Sequence, residues 1–217
     1  MKKTFLLIVS LIFLNQMTII AQEIVVSPTF SHGSYDKFQN NFGYEIGYNQ
    51  YINSSSRLGF TFSHSFNNID YNYNFISDAD GIDYYREVNT NNQRLVFYVN
   101  YCFNVLNSQN SKFYIGPKLG LNYFKINESG TQKPSNENET YEYNSNYWDT
   151  NKIGIGLLLE YERNIFSDNI SVFFSTEPEV IFYSRFGLMG SSAPTMIGFI
   201  NFNLGFKFNM KKNRGIK

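Results

Sequence analysis

Between Met196 and Asn209 the chain reads MIGFINFNLGFKFN, and neighbouring residues belong to different chemistries. Met196, Gly198, Ile200, Phe202, Leu204, Phe206 and Phe208 fall on one side; Ile197, Phe199, Asn201, Asn203, Gly205, Lys207 and Asn209 fall on the other. Period-two alternation specifies a β-strand with two unlike faces. It recurs over residues 23–33, 41–52, from 57, 95–105, 113–123, 153–161 and 170–182, which makes eight segments in all. In the fourth, Leu95, Phe97, Val99, Tyr101, Phe103 and Val105 oppose Arg94, Tyr98, Asn100 and Asn104. No helical period of comparable length competes.

Alternation does not say which face is inside. Across the eight segments the polar face is mostly Gly, Ser, Asn and Thr with one or two charges, while the other face is almost uncharged. A water-facing exterior would be rich in Lys and Glu, yet only 17% of the chain is charged, against about 25% in soluble domains. Small polar residues suit the lumen of an eight-stranded barrel, which is just wide enough for side chains. A cation on the opposite face would cost ~2–4 kcal/mol at a bilayer midplane. An open sheet edge cannot persist in hydrocarbon, so the sheet must close. Alternate connections are short (53–56, 106–111, 164–169), while the others are mostly longer and polar (34–40, 77–84, 127–147, 185–194). That is the sorting of periplasmic turns and extracellular loops. The expectation is an all-β, eight-stranded, antiparallel, up-and-down transmembrane β-barrel over residues 22–209; a soluble barrel or sandwich is the alternative.

Residues 1–21 read as a secretory signal peptide: Lys2 and Lys3, a short apolar run, then Ala21 at a cleavage point. Residues 210–217 read as a basic periplasmic tail. Zero net charge argues against nucleic acid as a partner. Cys102 is the sole cysteine, so there is neither a disulfide framework nor a zinc spacing. No cofactor is expected.

Signal peptide, eight alternating strands and an aromatic final strand resemble the small outer-membrane barrels of the OmpA/OmpX type, and within them the outer-membrane β-barrel domain group of Bacteroidota that includes PorT-like proteins. The resemblance implies the fold and a location in the outer membrane, with its lipid and the barrel-assembly machinery as partners. Such barrels often end on an aromatic residue, whereas here Phe206 and Phe208 are followed by NMKKNRGIK.

Two sets of residues carry the functional expectations. Glu45, Arg57, Arg94, Lys118, Lys152, Glu160, Glu162, Glu177, Glu179 and Lys207 lie on the polar face and would point into the lumen. They form either a buried ion-pair network that plugs the barrel or a selective path for a small ion or solute. Tyr71, Tyr73, Tyr84, Tyr85, Tyr141, Tyr143, Tyr147 and Trp148 belong to Asn-rich stretches between strands, where an extracellular protein or glycan would bind. Solvated strand extensions above the membrane are the plainer reading of the same stretches. Trp148, Tyr147 and Tyr123 suit an outer aromatic girdle, and Tyr161 and Phe166 an inner one.

Other motifs are weaker. His32-Gly33-Ser34 resembles the His-x-Ser element of lipid A deacylases, but it lies early in the chain and no acidic partner accompanies it. His64 and Ser65 are strand neighbours and point to opposite faces. SDADGIDYYRE departs from calcium-loop spacing, with Gly81 too early and Ile82 in a ligand position. Gly154 and Gly156 lack a following helix, so small residues facing a crowded lumen explain them. The leading expectation is a non-enzymatic envelope or surface-interaction protein using residues 69–93 and 126–148. The alternatives are a small channel or transport accessory using the lumen charges, and an outer-leaflet lipid-modifying enzyme.

Overall fold

A computed structural model describes residues 22–34, 38–77, 79, 81–108, 110–136, 138–167, 169–182 and 196–210, with the side chains of 147–151, 166 and 167 outside the description. The expected signal peptide, the tail beyond Met210 and the connection at 185–194 therefore lie outside the described residues. Eight strands run β1 Gln22–Gly33, β2 Asn41–Asn53, β3 Ser56–Ile76, β4 Asp83–Asn107, β5 Ser111–Pro134, β6 Tyr141–Ser167, β7 Ile170–Phe182 and β8 Met196–Met210. Each pairs antiparallel with the next, and β1 pairs with β8 to close the barrel.

The greasy face points out. Phe42, Ile46, Phe97, Leu121, Ile155, Leu204 and Phe206 are exposed, while Ser27, Thr29, Glu45, Asn49, Ser175, Asn203 and Lys207 are buried. This inversion of a soluble protein's burial is stable only where hydrocarbon surrounds the sheet. On β3 the apolar belt runs from Leu58 to Phe66, and beyond it the outward residues become Asn68, Asp70, Asn72 and Asn74. The lumen is tight. A Cβ on Gly154 would lie 1.9 Å from Glu179 Oε1, and one on Gly120 would lie 2.7 Å from the Tyr98 ring.

The strands are of two kinds. β1, β2, β7 and β8 have 12–15 residues, enough to cross the membrane, whereas β3 to β6 have 21–27. The connection expected at 77–84 is found at 77–82, whereas the one expected at 127–147 is corrected. Most of 127–147 is strand, with Asn127 opposite Asn146 and Thr131 opposite Glu142, and its turn is only 135–140. Likewise Ile69 pairs with Thr90 and Phe75 with Tyr84. The apolar alternation that marks the other strands is missing here because both faces are amphipathic: IDYNYNF alternates Tyr with Asn. β3 to β6 thus rise above the barrel as a four-stranded sheet. The nine residues of β3 beyond Asn67 correspond to ~30 Å of strand.

Candidate functional site

The lumen holds its charges in three levels. Nearest the short turns, the Arg57 guanidinium donates toward Glu160 at 2.7 Å and stands 3.7 Å from Glu23 and 3.8 Å from Glu162. Lys207 completes this level against Glu160 and Glu162. The Tyr51 hydroxyl donates to Glu23 at 2.6 Å, and the Tyr114 ring lies 4.0 Å under the Arg57 guanidinium. At mid-height Lys118 pairs with Glu177, and Asn203 donates to Glu177 at 2.9 Å. Above it Arg94 pairs with Glu179 at 2.5 Å, and Asn122 donates to the other Glu179 oxygen at 2.9 Å. Tyr98 joins the two upper levels, donating to Glu179 at 2.8 Å while Lys118 sits over its ring.

Every expected lumen charge is buried. Glu45 is buried without a hydrogen bond or ion pair to a described residue, and Lys152 is buried on the same face. Glu23, at 0% exposure, belongs to the set and was not anticipated. Its signal was available, since it shares parity with the inward-facing Val25 and Ser27. An apolar cluster also went unforeseen. Phe38, from the β1–β2 connection, packs with Phe124, Ile126, Ile181, Ile197 and Phe199 at the outer end of the lumen. Phe38 and Phe124 meet edge-on at 4.8 Å, and Arg94 caps Phe199 at 4.0 Å. A loop phenylalanine surrounded by polar residues gives no periodic signal.

The projecting sheet separates the expected contact residues. Tyr71, Tyr73 and Tyr84 share the inner face with Phe75, Arg86, Glu128 and Tyr143. These residues engage one another: Tyr71 and Tyr143 both donate to Glu128, at 3.0 and 3.1 Å. Arg86 stacks 4.0 Å over Tyr143 and 4.4 Å over Phe75 while donating to Tyr73 and Gln132. Tyr141 is 43% exposed beside Glu139, and Tyr85 is exposed on the outer face. The side chains of Tyr147 and Trp148 lie outside the described residues, as does that of Phe166. Tyr161 faces outward near the short turns, where an inner girdle residue belongs, and donates to Ser111.

The His32–Ser34 pairing is not formed. His32 Nδ1 contacts Asn40 Oδ1 at 3.0 Å, and Ser34 Oγ accepts from the Gly198 amide at 2.9 Å. His64 sits outward between Tyr44 and Phe66. Among the described residues no cluster of ligating side chains could hold a metal ion.

No protein-family model matches the chain, and no curated protein matches it. Solved structures do. Neisserial surface protein A is 12% identical, with a TM-score of 0.52, and the match covers 87% of this chain and 97% of that one. Ail, the attachment invasion locus protein of Yersinia pestis, is 13% identical over 87% of this chain and 99% of its own, with a TM-score of 0.49. A major outer membrane protein from Thermus thermophilus is 14% identical over 88% and 99%, with a TM-score of 0.47. The first of these likenesses bears out the eight-stranded membrane-barrel fold.

Proposed function

We propose that the chain is an integral outer-membrane protein whose barrel is a closed support, and that it works without enzymatic chemistry as a surface-binding protein. The observation that carries this is the division of labour between the strands. Among the described residues four strands reach no higher than the rim, and four continue into a sheet that no bilayer contact requires. Ion pairs and an aromatic cluster fill the lumen, which supports a plug over a path. Recognition of the last strand by the barrel-assembly machinery and placement by outer-membrane lipid follow from the same reading, as does export by a signal peptide.

The test removes the projection. Asn67 pairs with Asn92 and Ile126 with Tyr147, so short turns at those pairs would excise the sheet and keep the register below. The shortened barrel should still shift mobility on heating, as a folded barrel does. Full-length protein in lipid nanodiscs should be captured by components of an array of extracellular proteins and glycans, and the shortened form should lose that capture. Equal capture by both forms would defeat the proposal.

A further inference from the structure

The outer face of the projecting sheet carries a groove of about 540 Å3 that none of the features above uses. Its lining is a grid of two rows on three strands: Asp70, Asn89 and Ser129 in one row, and Asn72, Glu87 and Thr131 in the next. All six side chains point away from the inner aromatic face, and Tyr71, Val88 and Gly130 form the floor between them. The next row outward places Tyr85 opposite Asn74 and Lys133, with the Tyr85 ring 42% exposed.

The grid is partly fixed. Asn89 donates to Asp70 at 2.6 Å, and Asn72 donates to the Tyr85 hydroxyl at 3.1 Å, which holds that ring at the upper edge of the groove. The side chains of Glu87, Ser129 and Thr131 make no hydrogen bond to a described residue. The groove therefore offers carboxylate acceptors, amide carbonyls and hydroxyls at the ~4.8 Å spacing of neighbouring strands, with an aromatic plate at one end. Its volume falls within the ~300–1,000 Å3 of ligand sites. Hydroxyl groups at regular intervals on a ring whose C–H face stacks on an aromatic are the chemistry of a sugar. Two carboxylates in the lining, with no base among the lining residues, select against sulfated or phosphorylated sugars. The bases of this face, Lys133 and Lys125, stand one row above Thr131 and two rows below Ser129.

We propose that this outer groove, formed by Asp70, Asn72, Glu87, Asn89, Ser129 and Thr131 with Tyr85 at its edge, binds an uncharged oligosaccharide. The inference rests on the surface-binding reading above and names its ligand class. The contact point moves from the inner tyrosines Tyr71, Tyr73 and Tyr143, which Glu128 and Arg86 engage, to the amide-rich face behind them.

Full-length protein refolded in detergent micelles would be titrated by calorimetry with cellotriose, mannotriose and chitotriose, and with a sulfated heparin tetrasaccharide for comparison. At least one uncharged trisaccharide should bind, and more tightly than the sulfated one. Glu87→Gln should weaken that binding about tenfold, the scale of one lost hydrogen bond to a charged group, and Tyr85→Ala should weaken it by a similar factor through loss of the stacking ring. Both side chains are exposed, and heat-dependent gel mobility would verify that each variant folds. Absence of binding by all three uncharged probes, binding unaltered in both variants, or preference for the sulfated sugar would overturn the inference. Should the sugars fail while excision of the sheet still abolishes capture on the array, the surface-binding reading survives without this ligand. Should excision leave capture unchanged, both fall.

Discussion

At the scale of single residues, the level of charges nearest the short turns is the most tightly balanced part of the molecule. Glu23, Glu160 and Glu162 face Arg57 and Lys207, all almost fully buried, with Lys112 at the margin 3.9 Å from Glu162. Removing Arg57 leaves three buried carboxylates to share Lys207 and the marginal Lys112, a shortage of positive charge that water cannot relieve. Arg57→Met should therefore destabilise the barrel by ~3–5 kcal/mol, read as a lower urea midpoint in micelles. Glu160→Gln placed in the same chain should return part of that loss, because the two residues share one interaction. Equal and additive losses would show that the pair is not coupled. A steric counterpart lies higher in the lumen. The Cβ of Gly154→Val would overlap Glu179 Oε1 and disturb its pairing with Arg94, so a loss of ~1–3 kcal/mol is expected in the same assay.

At the scale of elements, the short strands were legible in the sequence and the upper halves of the long ones were not. Residues 170–182 and 196–209 alternate Phe, Ile and Val with Ser, Asn and Glu, and the two sides of that pattern see lipid and lumen. Above the rim both sides see water or other polar groups. Asn68, Asn72 and Asn74 then alternate with Tyr71 and Tyr73, a pattern that an apolar/polar template does not register. The lumen charges were readable for the same reason as the short strands, by parity alone. Phe38 was not, because a connection has no period. The outer groove was not either, because its six residues come from three strands and are brought together only by register. The projecting sheet has two open edges, β3 beyond Asn67 and β6 before Gly154, where no neighbouring strand is paired among the described residues. The β3 amides between Asn68 and Ile76 that point away from β4 should exchange with solvent on the order of a hundredfold faster than those bonded to it. Hydrogen exchange read by NMR would resolve that alternation. Uniform protection along the edge would mean that a further strand covers it.

At the scale of the whole molecule, the lumen closures act in series, so each alone suffices to stop ions. Phe38 with Phe124 and Phe199 closes the outer end. Arg94 with Glu179 closes the level beneath it, Lys118 with Glu177 the next, and Arg57 with its three carboxylates the level nearest the short turns. A path opens only when the bulk and charge at every level are removed together, since eight strands leave no room for water around an intact side-chain layer. The wild-type barrel should thus be silent in a planar bilayer, with insertion shown separately by protease protection. Phe38→Ala and Arg94→Ala should each remain silent, and steps should appear only when both are combined with Lys118→Ala and Arg57→Ala. Ion-selective steps from the wild type would show that these residues line a path after all, and the case for a closed support beneath a binding sheet would lose its foundation. Steps from Phe38→Ala alone would locate the only real closure at the outer end and recast the buried charges below it as the walls of a pore.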